Sequence, residues 1–457
     1  MTAKMRRRGA ALLATGVAAA MLLTACSSSG KTGTSASPSA KPGCEAYASY
    51  GTFNGDKVKV LTSILPPEEQ KFLTAWKDFE RCTGINIVYE GTNTFEQLLT
   101  QRIQAGNPPA LAFIPQPGLI AKVAGMSGGA IAAPAAVQAN AAKYWSQSWV
   151  DFATVDGKFY GAPVGSNLKS LVWYSPTTFK ANGWTVPTTW QGMMDLSATI
   201  AKSGKMKPWC GGIGSGTATG WPSTDWLEEI VLRQSGPDVY DQWVSHQVKF
   251  NSPQITQAMN TLAGWMKNPA WDNAGYGDVK TIATTTFQNA GKPILDGQCA
   301  MLQQASFYAA QWLSFKPSVT FGESGDINAF YLPAMNSQFG KPVEGAGEFD
   351  VAFDSKPATV AVQTYLSSAE FATAKAKIGG WVSANNGVPL DSYSSPIDKV
   401  SAEILTDKSS TVRFDASDLM PAAVGAGSFW TQMTAWFAQN KSTAQVLSNI
   451  DSTWPAS

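Results

Sequence analysis

Residues 58–90 read VKVLTSILPPEEQKFLTAWKDFERCTGINIVYE. Val58 to Ile64 is an apolar, β-branched run of strand length. Pro66-Pro67-Glu68-Glu69 then opens a helix: proline lacks an N–H that the first turn would leave unbonded, and acids there meet the positive end of the helix dipole. Phe72, Leu73, Trp76 and Phe79 recur at helical spacing until Gly84 stops the run, and Ile85 to Tyr89 is the next strand. Working outward, Thr94 with Gln97 resembles a capping box for a helix to Ala105, ended by Gly106 and Pro108, and Ala110 to Ile114 is a third strand. Strand, helix, strand, helix, strand requires a parallel sheet covered by helices, so the fold class is α/β.

Farther along, Trp226 to Gln234 (stopped by Gly236-Pro237) and Ile255 to Met266 read as helices, and Gly118 to Ala124 also reads as helical. Leu171 to Tyr174, Cys299 to Gln303, Ala329 to Leu332 and Phe349 to Phe353 read as strands. No internal repeat is found. The economical architecture is two α/β lobes, each a sheet flanked by helices, with the chain crossing between them more than once and a ligand cleft between. In open α/β sheets a ligand sits beyond the carboxyl ends of the strands, which puts Glu90 to Asn93 and Pro115 to Gly118 on the rim of a first-lobe site.

Composition limits the ligand. Of 457 residues 44% are hydrophobic and 15% charged, enough for more than one core. Lys4, Arg6, Arg7 and Arg8 leave with an N-terminal leader, and the remainder carries 30 basic against 33 acidic residues, a net charge of −3. Such a body has no field for nucleic-acid phosphates or anionic lipid. With 17 Trp, 12 Tyr and 21 Phe, it suits a neutral ligand that presents flat apolar faces.

Residues 1–25 have the layout of a signal peptide: a basic start, an Ala/Leu-rich run from Gly9 to Leu23, then Leu23-Thr24-Ala25-Cys26. That last tetrad looks like a bacterial lipobox, in which Cys26 is acylated and becomes the first residue of the mature chain. After Cys26, residues 27–43 are Ser, Gly, Thr, Ala, Pro and Lys, and 26–43 make a flexible tether with a reach of roughly 60 Å. Export is the expectation, with a lipid anchor on the outer face of the cytoplasmic membrane. Four further cysteines, Cys44, Cys82, Cys210 and Cys299, form no CxxC pair, so zinc is not expected and two disulfides are. Three pairings are open; Cys44 with Cys82 and Cys210 with Cys299 is favoured because each stays within one predicted lobe.

Enzymatic readings are weaker. Gly125-Met126-Ser127-Gly128-Gly129 matches the G-x-S-x-G pattern and His246 is a possible base, but the preceding segment reads as helix rather than strand and His246 sits in a polar run. With His246 the sole histidine there is no His-based metal cluster, and Gly211 to Gly216 lacks the spacing of a nucleotide loop, reading as a flexible loop. A glycosidase needs two carboxylates roughly 5–10 Å apart across a cleft. Glu348 and Asp350 are candidates by proximity, and an extracellular lipid-anchored glycosidase is the alternative function.

Several motifs stand in order: Gly106-Asn107-Pro108-Pro109, Gln116-Pro117-Gly118-Leu119, the segment Asp156 to Pro163, Pro187-Thr188-Thr189-Trp190, Gly220 to Trp226, Gln304 to Phe307 and Phe414 to Pro421. Together they resemble the extracellular solute-binding proteins of bacterial ABC sugar importers, family 1, maltodextrin-binding-like, on the alpha-glucoside-binding branch. The likeness runs from about residue 50 to the end. It implies a non-enzymatic, monomeric receptor without cofactor or metal that closes on a neutral alpha-glucoside and delivers it to ABC permease subunits. It places lobe 1 at 44–164 plus 327–354 and lobe 2 at 168–321 plus 355–457, with hinges near Val164 to Leu168, Lys316 to Ile327 and Gly345 to Ser355. It also implies contacts: Asn167 four residues after the crossover proline, Trp430 of the late Phe-Trp pair, Phe307, and Trp221 of the Trp-Pro. Ala110 replaces an acid common in the group, which shifts a first-lobe polar contact to Gln116. A pyranose has an apolar C–H face and a belt of hydroxyls, so aromatic plates and Asp, Asn, Glu or Gln are the right residue types. On that ground Asn93, Asp225, Glu348 and Trp381 complete the candidate set, and Arg413 is expected to pair with Asp415.

Overall fold

The computed structural model describes residues 42–273, 277–439 and 441–455; the leader, Cys26 and the tether up to residue 41 lie outside the described residues. Strand alternation sorts the first lobe's side chains. In Lys57–Thr62, Val58 and Val60 face one way and Leu61 the other; in Leu111–Ile114, Leu111 and Phe113 share the first face and Ala112 and Ile114 the second. Phe72, Trp76 and Phe79, with Val362 and Tyr365 from the helix Pro357–Leu366, cover the first face. The helices Phe95–Gln104 and Pro117–Ala124 bring Leu99, Ile120 and Val123 onto the second. The sheet runs Phe349–Ala352, Leu111–Ile114, Lys57–Thr62, Asn86–Gly91; the last three are parallel and Phe349–Ala352 is an antiparallel edge.

The second lobe holds a five-stranded sheet in the order Asn328–Tyr331, Leu171–Tyr174, Cys299–Gln303, Lys207–Cys210, Asp272–Asn273. Its core is rich in indoles, with Trp209, Trp226, Trp243, Trp265 and Trp436 buried around the helices Trp221–Gln234 and Pro253–Met266. A third, three-stranded sheet, Ser410–Phe414, Lys341–Ala346 and Asn167–Leu168, lies where the lobes join. The disulfides are Cys44–Cys82, Cα atoms 5.3 Å apart, and Cys210–Cys299, 5.7 Å apart between neighbouring parallel strands.

Several expectations change. The helix expected from Pro66 to Gly84 is two, Glu69–Ala75 and Lys77–Thr83, with Trp76 at the break. Thr94 makes no side-chain cap; its hydroxyl pairs with that of Thr92 at 3.0 Å. The lobe limits move as well. Asn328–Tyr331 pairs antiparallel with Leu171–Tyr174, so the chain is still in the second lobe at 327 and returns only after Lys341–Ala346. Beyond 355 the chain stays on the first lobe, because Val362, Tyr365 and Phe371 need its apolar sheet face. Residues 316–327 are not a crossover: Val319 and Ile327 are buried in the second lobe on either side of a turn. The third passage between lobes falls between Gly379 and Phe414, where Ser166 bridges Val382 and Gly165 packs against the Trp381 indole. Among the described residues no helix is long and apolar enough to cross a membrane.

Candidate functional site

The loops at the carboxyl ends of the first-lobe strands open on a cavity of about 330 Å³ between the lobes. Ser63 to Pro66 and Glu68 come from the first loop, Thr92, Asn93 and Glu96 from the second, Pro115 and Gln116 from the third. The second lobe supplies an aromatic wall: the Trp221 ring lies 5.0 Å from Phe287 and 6.0 Å from Phe307, centroid to centroid. Trp221 stands at the first turn of a helix whose following residues are core, so its ring is free to face the cavity. Gly220 makes this possible. Its φ is +118°, and a Cβ there would lie 2.2 Å from the Trp430 carbonyl. Trp430, at the start of the helix Trp430–Ala438, closes the cavity with its Nε1 buried and unpaired, while its neighbour Phe429 turns into the core.

Lys169 organises one side. Its ammonium donates to Asp225 at 2.8 Å and to Asp415, and lies 5.4 Å over the Trp221 ring. Burial opposes that charge, but Asp225 and Asp415 hold Lys169 well above its ordinary pKa. Burial pushes Asp225 up, against the pull of Lys169, whereas the bonds to Lys169, Asp418 N–H and Ser417 hold Asp415 below the usual range. Carboxylate oxygens of Asp225, Glu344 and Asp415 converge within 4.8 Å, and the Lys169 ammonium already sits between Asp225 and Asp415 as the cation. Beside it, Gln116 donates Nε2 to Glu96 at 3.1 Å, leaving Gln116 Oε1 buried without a partner. Burial raises both Glu96 and Asp418.

At the opposite end stand Glu68, Glu348, Asn167 and Gln311, with Gln311 donating to Glu68 at 3.3 Å across the lobes. Burial, then the charge of Glu348, pushes Glu68 up to about 7. Behind them a small side cavity of about 10 Å³, room for about one water, is lined by Glu68, Lys71, Glu348, Lys375 and Trp381. Lys375 lies 3.6 Å over the Phe72 ring and 4.0 Å over Trp381. The lobes also meet at the mouth, where the Thr217 N–H and hydroxyl both donate to the Asn93 carbonyl at 3.1 Å.

Seven of the nine expected contact residues line this cavity: Asn93, Gln116, Asn167, Trp221, Phe307, Glu348 and Trp430. Asp225 does not; it is 2% exposed and engaged with Lys169 behind the wall. Trp381 lines only the side cavity, because Gly165 and Lys375 pin its indole at the lobe junction. Glu68, Glu96, Lys169, Gln311 and Asp418 were missed. Glu68 reads as a helix-start acid and Glu96 was passed over beside the Thr94–Gln97 pair, although both follow a parallel strand, the position where a site is expected.

Other sequence readings resolve plainly. Asp350 turns into the first-lobe interior, 0% exposed, so it does not share the cavity with Glu348 as the glycosidase pair requires. Ser127 follows the helix Pro117–Ala124 in an exposed turn, and His246 contacts Asp451 at 3.0 Å and stacks on Trp454. Arg413 pairs with Asp241, at 2.7 and 2.9 Å, instead of Asp415. The glycines of 211–216 are packed, not loose: a Cβ on Gly212 would lie 2.9 Å from Thr285, and one on Gly216 2.5 Å from the Asn93 carbonyl.

The family model "Bacterial extracellular solute-binding protein" matches residues 65–334. The osmoprotective compounds-binding protein GgtB of Synechocystis sp. is 35% identical over 414 residues, 90% of this chain and 96% of the relative. The alpha-glucosides-binding periplasmic protein AglE of Rhizobium meliloti is 34% identical over 403 residues, 85% of this chain and 84% of the relative. Among solved structures, the bacterial solute receptor AcbH, which prefers β-D-galactopyranose, superposes with a TM-score of 0.73 at 20% identity, covering 88% of this chain and 98% of its own.

Proposed function

The chain belongs to the bacterial extracellular solute-binding proteins, and from that premise we propose that it is the substrate-binding lipoprotein of an ABC importer for a neutral alpha-glucoside. The observation that carries the reading is the cavity itself: Trp221, Phe287 and Phe307 offer ring faces on one side, and Asn93, Glu96, Gln116, Glu68 and Glu348 offer acceptors and donors on the other. A pyranose laid on an indole keeps its hydroxyl edge free for those groups. Glu348 and Asn167 lie where the chain passes between lobes, so one ligand touches both halves and the junction together. Such a ligand binds the closed arrangement better than an open one and shifts the population toward it. The permease reads the closed form.

The relatives' binding of osmoprotective compounds and of alpha-glucosides supports the ligand class. The signal peptide of residues 1–25, the acylated Cys26 and the tether 26–43 place the monomeric receptor on the outer face of the cytoplasmic membrane. It binds and releases without cofactor and without chemistry. The test is a thermal-shift screen across maltose, trehalose and sucrose, with product analysis of the same mixtures. A rise in Tm with intact sugar is expected. Cleaved sugar would establish the glycosidase instead, and no shift with any neutral sugar would overturn the ligand class.

A further inference from the structure

The two ends of the cavity differ in charge balance. Glu68 and Glu348 are backed by Lys71 and Lys375. The end formed by Glu96, Gln116 and Asp418 has one cation near it, Lys169, and that ammonium is engaged with Asp225 and Asp415. Asp418, 6% exposed, and Glu96 line the cavity here, and Gln116, 4% exposed, gives its Nε2 to Glu96.

We propose that this end binds a protonated amine, so that the receptor takes alpha-glucosides carrying an amino group in place of one hydroxyl, and holds them more tightly than the neutral parent. The inference rests on the alpha-glucoside reading of the cavity. An ammonium offers three N–H donors and no acceptor, which matches the two carboxylates; a hydroxyl has one donor to divide between them. The bonds so formed are charge-assisted and about twice as strong as neutral ones. The charged groups facing Asp418 are Asp415, Lys169, Asp225 and Glu96, and Glu96 itself meets Gln116 and Asp418. Burial favours the protonated forms of Glu96 and Asp418, and an arriving cation favours the ionised ones. The amine therefore expels protons as it binds, whereas the neutral parent leaves these acids as they are.

Isothermal calorimetry on the folded chain tests this. Trehalose, maltose and sucrose are titrated, followed by monoamino derivatives of each in which every hydroxyl in turn is replaced, in two buffers of different ionisation enthalpy. One derivative is expected to bind about tenfold more tightly than its parent, with protons released to buffer. The variants Glu96→Gln and Asp418→Asn should each bring the amine-to-parent ratio toward one, while Glu68→Gln preserves it. A parent that binds at least as well as all its monoamino derivatives overturns this inference and leaves the alpha-glucoside reading standing. If no parent and no derivative binds, the alpha-glucoside reading fails and this one falls with it.

Discussion

The aromatic wall of the cavity is one surface, but its two polar ends are built on opposite electrostatic plans. The end at Glu96, Gln116 and Asp418 is a buried acceptor surface whose only nearby cation among the described residues is spent on Asp225 and Asp415. The end at Glu68 and Glu348 belongs to a mixed cluster in which Lys71, Lys375 and Asp398 surround the carboxylates at the lobe junction. The first depends on its ligand to supply donors; in the second Lys375 pulls both Glu68 and Glu348 down, against burial that raises each of them. Lys71 donates to the Gly379 carbonyl and Gly380 N–H donates to Asp398, both at the third passage between lobes, so the mixed end is also tied to the hinge. One end is suited to reading ligand chemistry, and the other to sensing the angle between the lobes.

The contrast breaks most sharply at Lys169. Replacing it with methionine leaves Asp225 and Asp415, both nearly fully buried, facing each other without a cation. Removing one partner of a buried pair costs about 3–5 kcal/mol. Lys169→Met should therefore unfold at markedly lower urea, and adding Asp415→Asn should return part of the loss by deleting one of the stranded charges. An unchanged midpoint would mean that the acceptor end is not held by this lysine.

Next in size is the ring that closes the cavity. Trp430→Ala is expected to weaken sugar binding by about 2–4 kcal/mol, as at aromatic hot spots, in a protein whose melting curve stays cooperative. Trp430→Phe keeps an aromatic plate and should lose less, about 1 kcal/mol. Calorimetric affinity that does not move in a folded Trp430→Ala variant would remove the ring from the site. A smaller effect is expected at the mouth, where Gly216 has φ +59° and a Cβ would press on the Asn93 carbonyl. Gly216→Ala should cost about 1–2 kcal/mol of affinity by resisting closure, read as a faster ligand off-rate; an unaltered off-rate would show that the Asn93–Thr217 contact does not gate release.

How much of this was legible beforehand follows the range of each interaction. Residues 58–114 were readable because adjacent strands pair through local crossovers, and the cavity-facing loops follow from strand polarity alone. The indoles at Trp221 and Trp430 were legible from their places at helix starts. Lys169 was not, because its partners stand 56 and 246 residues away and no periodicity marks a buried ammonium. The lobe limits went astray for a similar reason: Asn328–Tyr331 crosses 154 residues to pair antiparallel with Leu171–Tyr174, while the family resemblance put 327–354 in the other lobe. The glycines of 211–216 carried a signal of close backbone approach that flexibility explained equally well.

The mixed end offers the smallest effect and a clear sign. Glu68 in the folded protein sits near 7 against an ordinary 4.5, raised by burial and then by Glu348, with Lys375, Lys71 and the Gln311 bond pulling the other way. A carboxyl whose folded pKa is raised binds its proton more tightly folded than unfolded, so stability falls as pH climbs from about 4.5 through 7 and levels off above. Glu68 is partly solvated at the cavity wall, which discounts the full shift to about 1 kcal/mol. Glu68→Gln removes the titration while keeping an acceptor for Gln311. Its urea midpoint, measured against the parent chain at pH 5 and pH 8, should be close to the parent's in acid and above it in alkali. Parallel pH profiles for the two proteins would show that Lys71 and Lys375 already neutralise this end, and would widen the contrast with the acceptor end that Lys169 leaves open.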